Sequence, residues 1–247
     1  CGLCKRTCEN TVGIKYNRDD VKRPVCINCG QCILNCPFNA LDTKNDYDEV
    51  IKLLEDKENI LTISVAPAIR TSIGEEFGLE AGTIVTKKLV TALKKLGFFD
   101  VEETARGASV VKTEYERMLR EDNRDIIISS CCHSINLLIQ KYFPSLLEYL
   151  ADVLSPMQAH CQDIKRRYPN AKTVFIGPCV SKKDEADHYE GFVDAVLTFE
   201  ELTAWLENEN VEIENETDHD EESRARFYPT TGGILKTMVQ DAPGYTY

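Results

Sequence analysis

Long apolar segments and an excess of basic residues are both absent from this chain of 247 residues. Its longest apolar runs are stretches such as Leu61–Ala68, which Thr62 and Ser64 interrupt, whereas a membrane-spanning helix needs about 20 apolar residues. We therefore expect no transmembrane span. No secretory signal pattern precedes Cys1, so we also expect a cytoplasmic protein. The 29 Lys and Arg residues against 41 Asp and Glu residues give a net charge of −12, which disfavours binding to nucleic-acid phosphates.

Glycine and proline are also scarce, with 13 and 9 residues, while 43% of the chain is hydrophobic. This composition excludes a disordered chain and predicts one large or two smaller folded domains. The negative charge is local: 11 acidic residues and no Lys or Arg lie between Glu200 and Glu222, which leaves 30 acids against 29 basic residues elsewhere. We expect Asn208–Glu222 to be an exposed acidic loop.

Strand and helix patterns alternate from about Leu61 onward, which predicts an α/β domain with a mainly parallel sheet. The predicted strands are Leu61–Val65, Phe98–Val101, Asp125–Ser129, Lys172–Ile176 and Val193–Leu197. The predicted helices are Asp46–Lys57, Thr83–Leu96 with Thr83 as its cap, Ala108–Arg120, Ile135–Tyr142, Met157–Tyr168, Asp184–Tyr189 and Glu200–Leu206. Asp125–Ser129 has three consecutive isoleucines, a pattern typical of a strand buried on both faces.

Cysteine is the residue type that is unusually common, and 7 of the 11 cysteines lie in the first 36 residues. The odd total, in a chain without a secretory signal, argues against disulfides and for reduced thiols that bind metal. Cys161, in S-P-M-Q-A-H-C, has no matching ligand position, and we expect it to be a buried helical thiol.

The first cysteine group has the spacing C-x2-C-x2-C-x3-C followed by proline, in Cys26, Cys29, Cys32, Cys36 and Pro37. This is the bacterial ferredoxin run, whose fourth cysteine binds a different 4Fe–4S cluster from the first three. A structural zinc site also uses C-x2-C, but the third cysteine and the proline disfavour zinc. Cys1, Cys4 and Cys8 repeat the last three cysteines of the run. The pattern thus assigns Cys1, Cys4 and Cys36 to one cluster, and Cys8, Cys26, Cys29 and Cys32 to the other.

A second group of cysteines follows two predicted strands. Cys131 and Cys132 come after Asp125–Ser129, and Cys179 comes after Lys172–Ile176. Each cysteine alone is more often a small buried apolar residue than a ligand. The carboxyl ends of parallel strands meet at one edge, however, so these thiols could face a common ligand.

Several motifs together resemble the FeFe-hydrogenase family over nearly the whole chain. They are the two ferredoxin runs, S-V-A-P-A-I-R at Ser64–Arg70, G-E-E-F-G at Gly74–Gly78, S-S-C-C at Ser129–Cys132 and P-C-x2-K-x2-E at Pro178–Glu185. The resemblance implies a two-cluster α+β ferredoxin-like module at 1–42, a connecting helix at 43–58 and a hydrogenase-type α/β domain at 59–247. It also implies an H-cluster, a 4Fe–4S cube joined to a di-iron centre with carbonyl and cyanide ligands.

The resemblance further implies roles for individual residues. Cys132 and Cys179 would ligate the cube, and Lys182 would hydrogen-bond a cyanide ligand. Cys131 would be a proton-relay thiol, and Glu185 would orient Lys182. Ala66 and Pro67 would line the di-iron pocket. Without the motif, Lys182 could be part of a solvated helix face and Glu185 an ordinary surface partner of a neighbouring lysine.

The chain also departs from the family pattern. His133 stands where proline is usual, Gly177 where methionine is usual, and Met157 where an S-P-Q segment has glutamine. These departures resemble the sensory branch of the family. No cysteine follows Cys179, so only two of four expected H-cluster ligands are present, and we expect a fragment, cut at both ends, that is inactive alone.

Three functions remain open at this point. The first is reversible hydrogen oxidation or hydrogen sensing, with a ferredoxin or another redox carrier as partner, and with a sensor or signalling domain elsewhere in the full-length chain. The second is a non-enzymatic, hydrogenase-like iron–sulfur carrier. The third is an electron-transfer module with a regulatory α/β domain. Oxygen lability implies the cytoplasm of an anaerobe.

Overall fold

The computed structural model describes residues 1–15, 26–121, 125–211, 213 and 223–238. A four-stranded sheet lies at the centre of the fold. Its strands are Ile60–Val65 (β1), Asp100–Glu103 (β2), Ala171–Ile176 (β3) and Ala195–Leu197 (β4). All pairs are parallel and the spatial order is β2-β1-β3-β4, which confirms the predicted α/β domain with a parallel sheet.

Helices occupy both the amino-terminal module and the connections between the strands. The α-helices of the described residues are Leu3–Arg6 (α1), Gln31–Leu34 (α2), Tyr47–Glu55 (α3), Ile69–Glu76 (α4), Thr86–Lys95 (α5), Ala105–Glu121 (α6), His133–Tyr142 (α7), Pro156–Arg167 (α8), Ser181–His188 (α9), Phe199–Asn208 (α10) and Gly233–Thr237 (α11). A π-helix spans Thr7–Val12, and 3₁₀-helices span Pro144–Tyr149 and Arg224–Phe227. No helix among these described segments combines the length and the apolar character needed to cross a membrane.

The two central strands, β1 and β3, are buried on both faces, as is usual for the middle of a parallel sheet. Ile63 pairs with Val174 and both are fully buried, as is Ile176 at the end of β3. Burying each of these side chains contributes about 1.5–3 kcal/mol relative to exposure. Alternating apolar and hydroxyl residues therefore hold the centre of the sheet together, and its edges carry the shorter strands β2 and β4.

The register of β1 and β3 determines where the site loops begin. Val65 pairs with Ile176, and the Ala66 amide donates to the Ile176 carbonyl at 2.8 Å. The loop after β1 and the loop that starts at Gly177 therefore leave the sheet side by side. A side chain at Gly177 would lie 2.5 Å from the Phe175 ring, so the ring takes the space of a larger residue at this position.

The amino-terminal module packs against α7 through a small apolar cluster. Ile14 and Ile27 are buried beside Leu137 of α7, and Cys8 and Cys29 pack on the same cluster. The helix α3 lies in the predicted connecting segment at 43–58. The proposed boundaries of the domains remain predictions.

The prediction of a buried strand at Asp125–Ser129 is wrong. Ile128 makes only an isolated parallel bridge to Leu150, and Ile126 is 54% exposed. The Ile128 amide donates to the Tyr149 carbonyl at 2.7 Å, so the segment pairs with the chain that precedes α8 and not with the sheet. A run of isoleucines looks the same in the sequence whether it lies inside a sheet or beside a single neighbouring segment, because its burial depends on which segments pair with it.

Smaller differences concern the ends of elements. The strand β2 begins at Asp100 and not at Phe98, and α5 begins at Thr86, so Thr83 is not its cap. The Thr83 hydroxyl donates instead to the Glu80 carbonyl at 2.6 Å, which closes a turn before the helix. The helices α4 and α11 were not predicted. Most of the acidic stretch at 208–222 lies outside the described residues.

Candidate functional site

A cavity of about 720 Å³ opens where the loops after β1 and β3 leave the sheet. Ala66 and Pro67 line it from the first loop, and Pro178 and Cys179 line it from the second. The remaining walls come from α6 and the segments around 129–131, 156–157 and 225–238. Polar groups in the wall include Thr104, Tyr115, Ser129, Cys131, Lys182 and Tyr228.

Lys182 reaches this cavity from α9. Its ammonium donates to the Glu185 carboxylate at 2.5 Å and to the Cys131 carbonyl at 3.3 Å. Glu185 is only 2% exposed, and the three-residue spacing on a helix places it beside Lys182. A buried carboxylate thus fixes a cation at the cavity wall, and neither residue belongs to a solvated helix face.

Cys131 is a half-buried thiol in the same wall. Burial raises the pKa of the Cys131 thiol, while the Ser129 hydroxyl at 3.9 Å and the charge of Lys182 act in the opposite direction. A thiol with a raised pKa holds its proton at neutral pH. The Cys131 thiol therefore carries its proton at neutral pH and lines the cavity, and its role as a proton relay stays a prediction.

The two predicted cube ligands occupy different surroundings. Cys179 is exposed and lines the cavity, whereas Cys132 is exposed and precedes the first residue of α7. Cys132 therefore follows an extended segment outside the sheet, and only Cys179 follows a sheet strand. Among the described residues, no three Cys, His, Asp or Glu side chains are close enough to hold a single metal ion.

The surroundings of the amino-terminal cysteines differ from one thiol to another. Burial first, and then the neighbouring charges of Cys32, Cys29, Cys26 and Cys4, raise the pKa of Cys8. Repulsion of this kind requires the thiols to lie close together, so Cys8 lies near cysteines of both runs, and the division of the thiols between two clusters stays a prediction. Cys36 points elsewhere: its sulfur accepts the Ala40 amide at 3.3 Å, and this hydrogen bond is the largest of several that lower its pKa.

The second cysteine run docks directly on the elements that carry Cys132 and Cys179. Gly30 has φ +74° and packs so closely on Val180 that an added Cβ would lie 2.5 Å from its Cγ2 atom. Asp184 of α9 bonds both the Asn28 side chain and the His133 ring, the latter at 2.6 Å. The loop that holds the second run is therefore fixed against the start of α7 and of α9.

Some residues in the cavity wall were not found from the sequence. Tyr228 is 8% exposed, and its hydroxyl has no hydrogen-bond partner among the described residues. Tyr115 accepts the Ser130 amide at 3.0 Å through its hydroxyl. Tyr228–Gly233, with the sequence Y-P-T-T-G-G, is predicted to be a turn, and the resemblance implies that it leads toward the active site, but no short-range pattern places Tyr228 beside Cys131. The position of both tyrosines at the cavity therefore depends on the tertiary fold and not on a local sequence pattern.

Met157 is the other departure that the structure explains. The capping box of α8 uses Ser155 and Gln158, each bonding the other's amide at 3.3 Å. Met157 lies between them, is 1% exposed and lines the cavity. An apolar thioether thus stands in the wall where the resemblance implies a polar amide. Cys161, one turn further on, is fully buried as expected, and burial raises its pKa to about 12.

The parallel sheet, the ferredoxin-type cysteine runs and the cavity with Cys131, Cys179 and Lys182 define an iron–sulfur protein with a hydrogenase-like site. Residues 59–245 match the family described as iron only hydrogenase large subunit, C-terminal domain, and residues 25–42 match a 4Fe-4S binding domain. The chain belongs to this iron-only hydrogenase family.

Curated relatives include two hydrogenases and one assembly factor. The chain is 28% identical over 249 residues to the NADP-reducing hydrogenase subunit HndD of Solidesulfovibrio fructosivorans, with 88% of this chain and 43% of the relative covered. It is 29% identical over 234 residues to iron hydrogenase 1 of Clostridium pasteurianum, with 85% and 41% covered. It is 25% identical over 207 residues to the cytosolic Fe-S cluster assembly factor narfl of Danio rerio, with 71% and 50% covered. The chain thus spans less than half the length of these two hydrogenases.

Solved structures agree on the fold. An FeFe-hydrogenase from Chlamydomonas reinhardtii superposes with a TM-score of 0.60 at 21% identity, covering 78% of this chain and 56% of the other. At this identity, the superposition supports the architecture of the α/β domain alone.

Proposed function

We propose that this chain forms the electron-transfer module and the catalytic cavity of an FeFe-hydrogenase-type protein. In the full-length natural chain, it would couple 2H⁺ + 2e⁻ ⇌ H₂, for turnover or for sensing, to electron flow through two 4Fe–4S clusters. The observation that carries this proposal is Lys182, a cation held at the cavity wall by the buried Glu185 and adjacent to Cys131.

The amino-terminal thiols fit two clusters. The close approach of Cys8 to the second run supports a cube held by Cys8, Cys26, Cys29 and Cys32. Cys36, with its sulfur turned toward the Ala40 amide, would join Cys1 and Cys4 at the other cube. Amide hydrogen bonds to a sulfur stabilise the thiolate form, which is the form that binds iron.

The cavity fits part of an H-cluster. Cys132 and Cys179 would ligate its cube, Ala66 and Pro67 would line the pocket of the di-iron centre, and two further ligands would have to come from outside these 247 residues. The bound group would supply the iron centre at which protons and electrons combine. Lys182 and the unpartnered Tyr228 hydroxyl are donors suited to anionic ligands in a cavity with largely apolar walls.

The protein residues around that centre would have separate tasks. Lys182 would hydrogen-bond a cyanide, and Glu185 would keep the ammonium pointed into the cavity. The Cys131 thiol, protonated at neutral pH, would give and take the reacting proton. The contacts of Gly30 with Val180 and of Asp184 with Asn28 support electron transfer between the second cluster and Cys179.

A second candidate function is that of an iron–sulfur carrier without hydrogen chemistry. The resemblance to a cytosolic cluster-assembly factor and the apolar Met157 in the cavity wall favour it. Lys182 argues against it, because a protein without cyanide ligands has no need of a fixed cation at this position. A ferredoxin-type electron partner and a further signalling domain are part of the first proposal alone, whereas a cytoplasmic location fits both candidates.

The test is hydrogen-dependent reduction of the amino-terminal clusters. The full-length protein is matured with the di-iron cofactor, exposed to H₂ and examined by electron paramagnetic resonance. We expect reduced 4Fe–4S signals in the natural protein, and an effect at least 100-fold weaker in Lys182→Met, whose clusters should still respond to dithionite. Clusters that dithionite reduces but H₂ does not, in the natural protein, would contradict the hydrogenase proposal and favour the carrier.

A further inference from the structure

A buried chain of polar side chains runs from the cavity wall into the core. The Thr104 hydroxyl lies 2.8 Å from the Ser64 hydroxyl, which lies 2.8 Å from Nδ1 of His160. His160 Nε2 lies 3.1 Å from the Glu102 carboxylate. Ser64 lies on β1, Thr104 directly follows β2, and His160 lies on α8. The hydrogen-bonded groups therefore link three parts of the fold.

The two ends of this chain open on different sides. Thr104 lines the cavity that holds Cys131 and Lys182. Glu102 lines a separate groove of about 310 Å³. All four side chains are at least nine-tenths buried, and Ser64 and His160 are fully buried. A polar connection with so little solvent contact can pass a proton only along its own hydrogen bonds.

Glu102 fixes the protonation of one side of the imidazole. Burial opposes its charge, but hydrogen bonds from His160 and Arg167 and the charge of Arg106 lower its pKa to about 2. Arg167 bonds the carboxylate at 2.8 and 2.9 Å, and Arg106 at 3.1 Å. An ionised carboxylate can only accept, so His160 must carry a proton on Nε2. Nδ1 is then the nitrogen whose protonation can change.

The state of Nδ1 sets the direction of both hydroxyl bonds. With Nδ1 unprotonated, Ser64 donates to it, Thr104 donates to Ser64, and the Thr104 oxygen presents an acceptor to the cavity. With Nδ1 protonated, His160 donates to Ser64, Ser64 donates to Thr104, and Thr104 presents a donor. One proton on His160 therefore changes the cavity wall from acceptor to donor.

We propose that Thr104, Ser64 and His160 form a proton store that serves the cavity. A proton taken up by the Thr104 oxygen moves the Thr104 proton to Ser64 and the Ser64 proton to Nδ1. One O–H or N–H bond forms for each that breaks, no electrons move, and the positive charge rests on His160 beside Glu102. The reverse sequence returns the proton. The proposal deepens the proposed function, because hydrogen turnover in the cavity consumes or releases protons.

Other acidic residues near the site serve this role less well. Glu103 pairs with Arg226 at 2.9 Å and lines the groove, not the cavity. Glu114 lies exposed beside Arg117 at 3.0 Å. Neither lines the cavity, whereas Thr104 does.

Thr104→Val is the test variant, because valine keeps the shape and removes only the hydroxyl that joins the cavity to Ser64. Thr62→Val is the matched control. Thr62 lies on β1 two residues before Ser64, is fully buried, and its hydroxyl has no partner among the described residues. Removing that hydroxyl should leave the store intact.

The readout is proton exchange at His160, measured from the ¹⁵N signals of the imidazole across its titration. It is made on the protein with its iron–sulfur clusters but without the di-iron cofactor, and His160→Gln assigns the signal among the four histidines. We expect Thr104→Val to slow the exchange about tenfold or more, with Nε2 still protonated, and Thr62→Val to leave the rate unchanged.

A rate in Thr104→Val equal to that in Thr62→Val would overturn the proposal, as would an Nδ1-protonated neutral tautomer. After maturation with the di-iron cofactor, Thr104→Val should also show slower hydrogen–deuterium exchange between H₂ and D₂O, whereas Thr62→Val should match the natural protein. Loss of hydrogen chemistry in every variant, including the natural sequence, would contradict the proposed function, while the imidazole measurement would still decide on the store.

Discussion

Glu102 shows how one buried carboxylate can affect both stability and chemistry. Its folded pKa of about 2 lies below the ordinary value of 4.5, so its contribution to stability is complete above about pH 4.5. That contribution is lost as the pH falls from about 4.5 to 2, and a shift of this size corresponds to at most about 3 kcal/mol.

Glu102→Gln should therefore lower the free energy of unfolding at pH 7 and flatten its fall between about pH 4.5 and 2. Urea unfolding of the metal-free protein, followed by the fluorescence of Trp205, reports this, since Trp205 is the single tryptophan and is 2% exposed. Glu114→Gln, which removes a solvent-exposed carboxylate, is the control and should change stability by less than about 1 kcal/mol. Parallel pH curves for natural and Glu102→Gln proteins would show that the carboxylate is not held ionised.

Lys183 is a second residue with a structural task that its neighbour Lys182 does not share. Its ammonium donates to the Val196 carbonyl at 2.6 Å and lies 2.9 Å from Glu201 and 3.5 Å from Asp46, and its side chain is 3% exposed. It ties α9 to the segment before α3 and to α10.

Lys183→Met should destabilise the protein by about 3 kcal/mol, because Glu201 would lose its cation and the buried Asp46 would keep only Lys44, at 3.3 Å. The measurement is again urea unfolding at pH 7. Lys57→Met, at an exposed position, is the control. A loss below about 1 kcal/mol in Lys183→Met would mean that the triad is solvated in solution.

Local sequence patterns could predict residues whose partners lie nearby in the chain. The spacing in P-C-x2-K-x2-E places Lys182 and Glu185 one turn apart, and the structure has this contact. Thr104, His160 and Tyr228 could not be predicted, because their partners come from distant elements and each residue type is common in a core. The expected S-P-Q contact is absent in this chain because Met157 occupies the cavity wall.

At the scale of elements, a strand of the sheet could be predicted from the sequence wherever it is short, apolar and bounded by turns. Strands β1 and β3 were predicted within one residue of their observed ends. Asp125–Ser129 failed because burial on both faces needs neighbours on both sides, and its partner is the chain before α8. Cys132 directly precedes α7 and follows Cys131 of the cavity wall, and its role as a cube ligand stays a prediction.

The docking of the second cysteine run on α9 gives a prediction at this scale. Gly30→Ala introduces a Cβ 2.5 Å from Val180 at a φ of +74°. Gly2→Ala, at a φ of +73° and with nothing within 4 Å, has the backbone strain alone, which costs about 1–3 kcal/mol.

We expect Gly30→Ala to lower the free energy of unfolding clearly more than Gly2→Ala does, in urea unfolding followed by cluster absorbance. Adding Val180→Ala to the Gly30→Ala variant should remove this extra loss, because the clashing Cγ2 atom is then absent. Equal losses in the two glycine variants, or no rescue by Val180→Ala, would show that the run does not rest on α9.

At the scale of the whole molecule, the cysteines are concentrated in the amino-terminal module and around the cavity. Seven of the 11 lie in the ferredoxin-type runs, and Cys131, Cys132 and Cys179 lie at or beside the cavity. The net charge of −12 comes from one segment and bears little on this chemistry. The family could be inferred from motif spacing, whereas the cavity and its hidden polar chain required the fold.

We propose that the cavity beside Cys131 and Lys182 holds a di-iron centre of the hydrogenase type in the full-length protein. The most direct measurement is the infrared spectrum of the full-length protein after maturation, between the cyanide and carbonyl stretching regions. We predict bands from both ligand types, with the cyanide bands shifted in Lys182→Met because the ammonium no longer donates to them. Iron–sulfur absorbance without any carbonyl or cyanide band would contradict the claim.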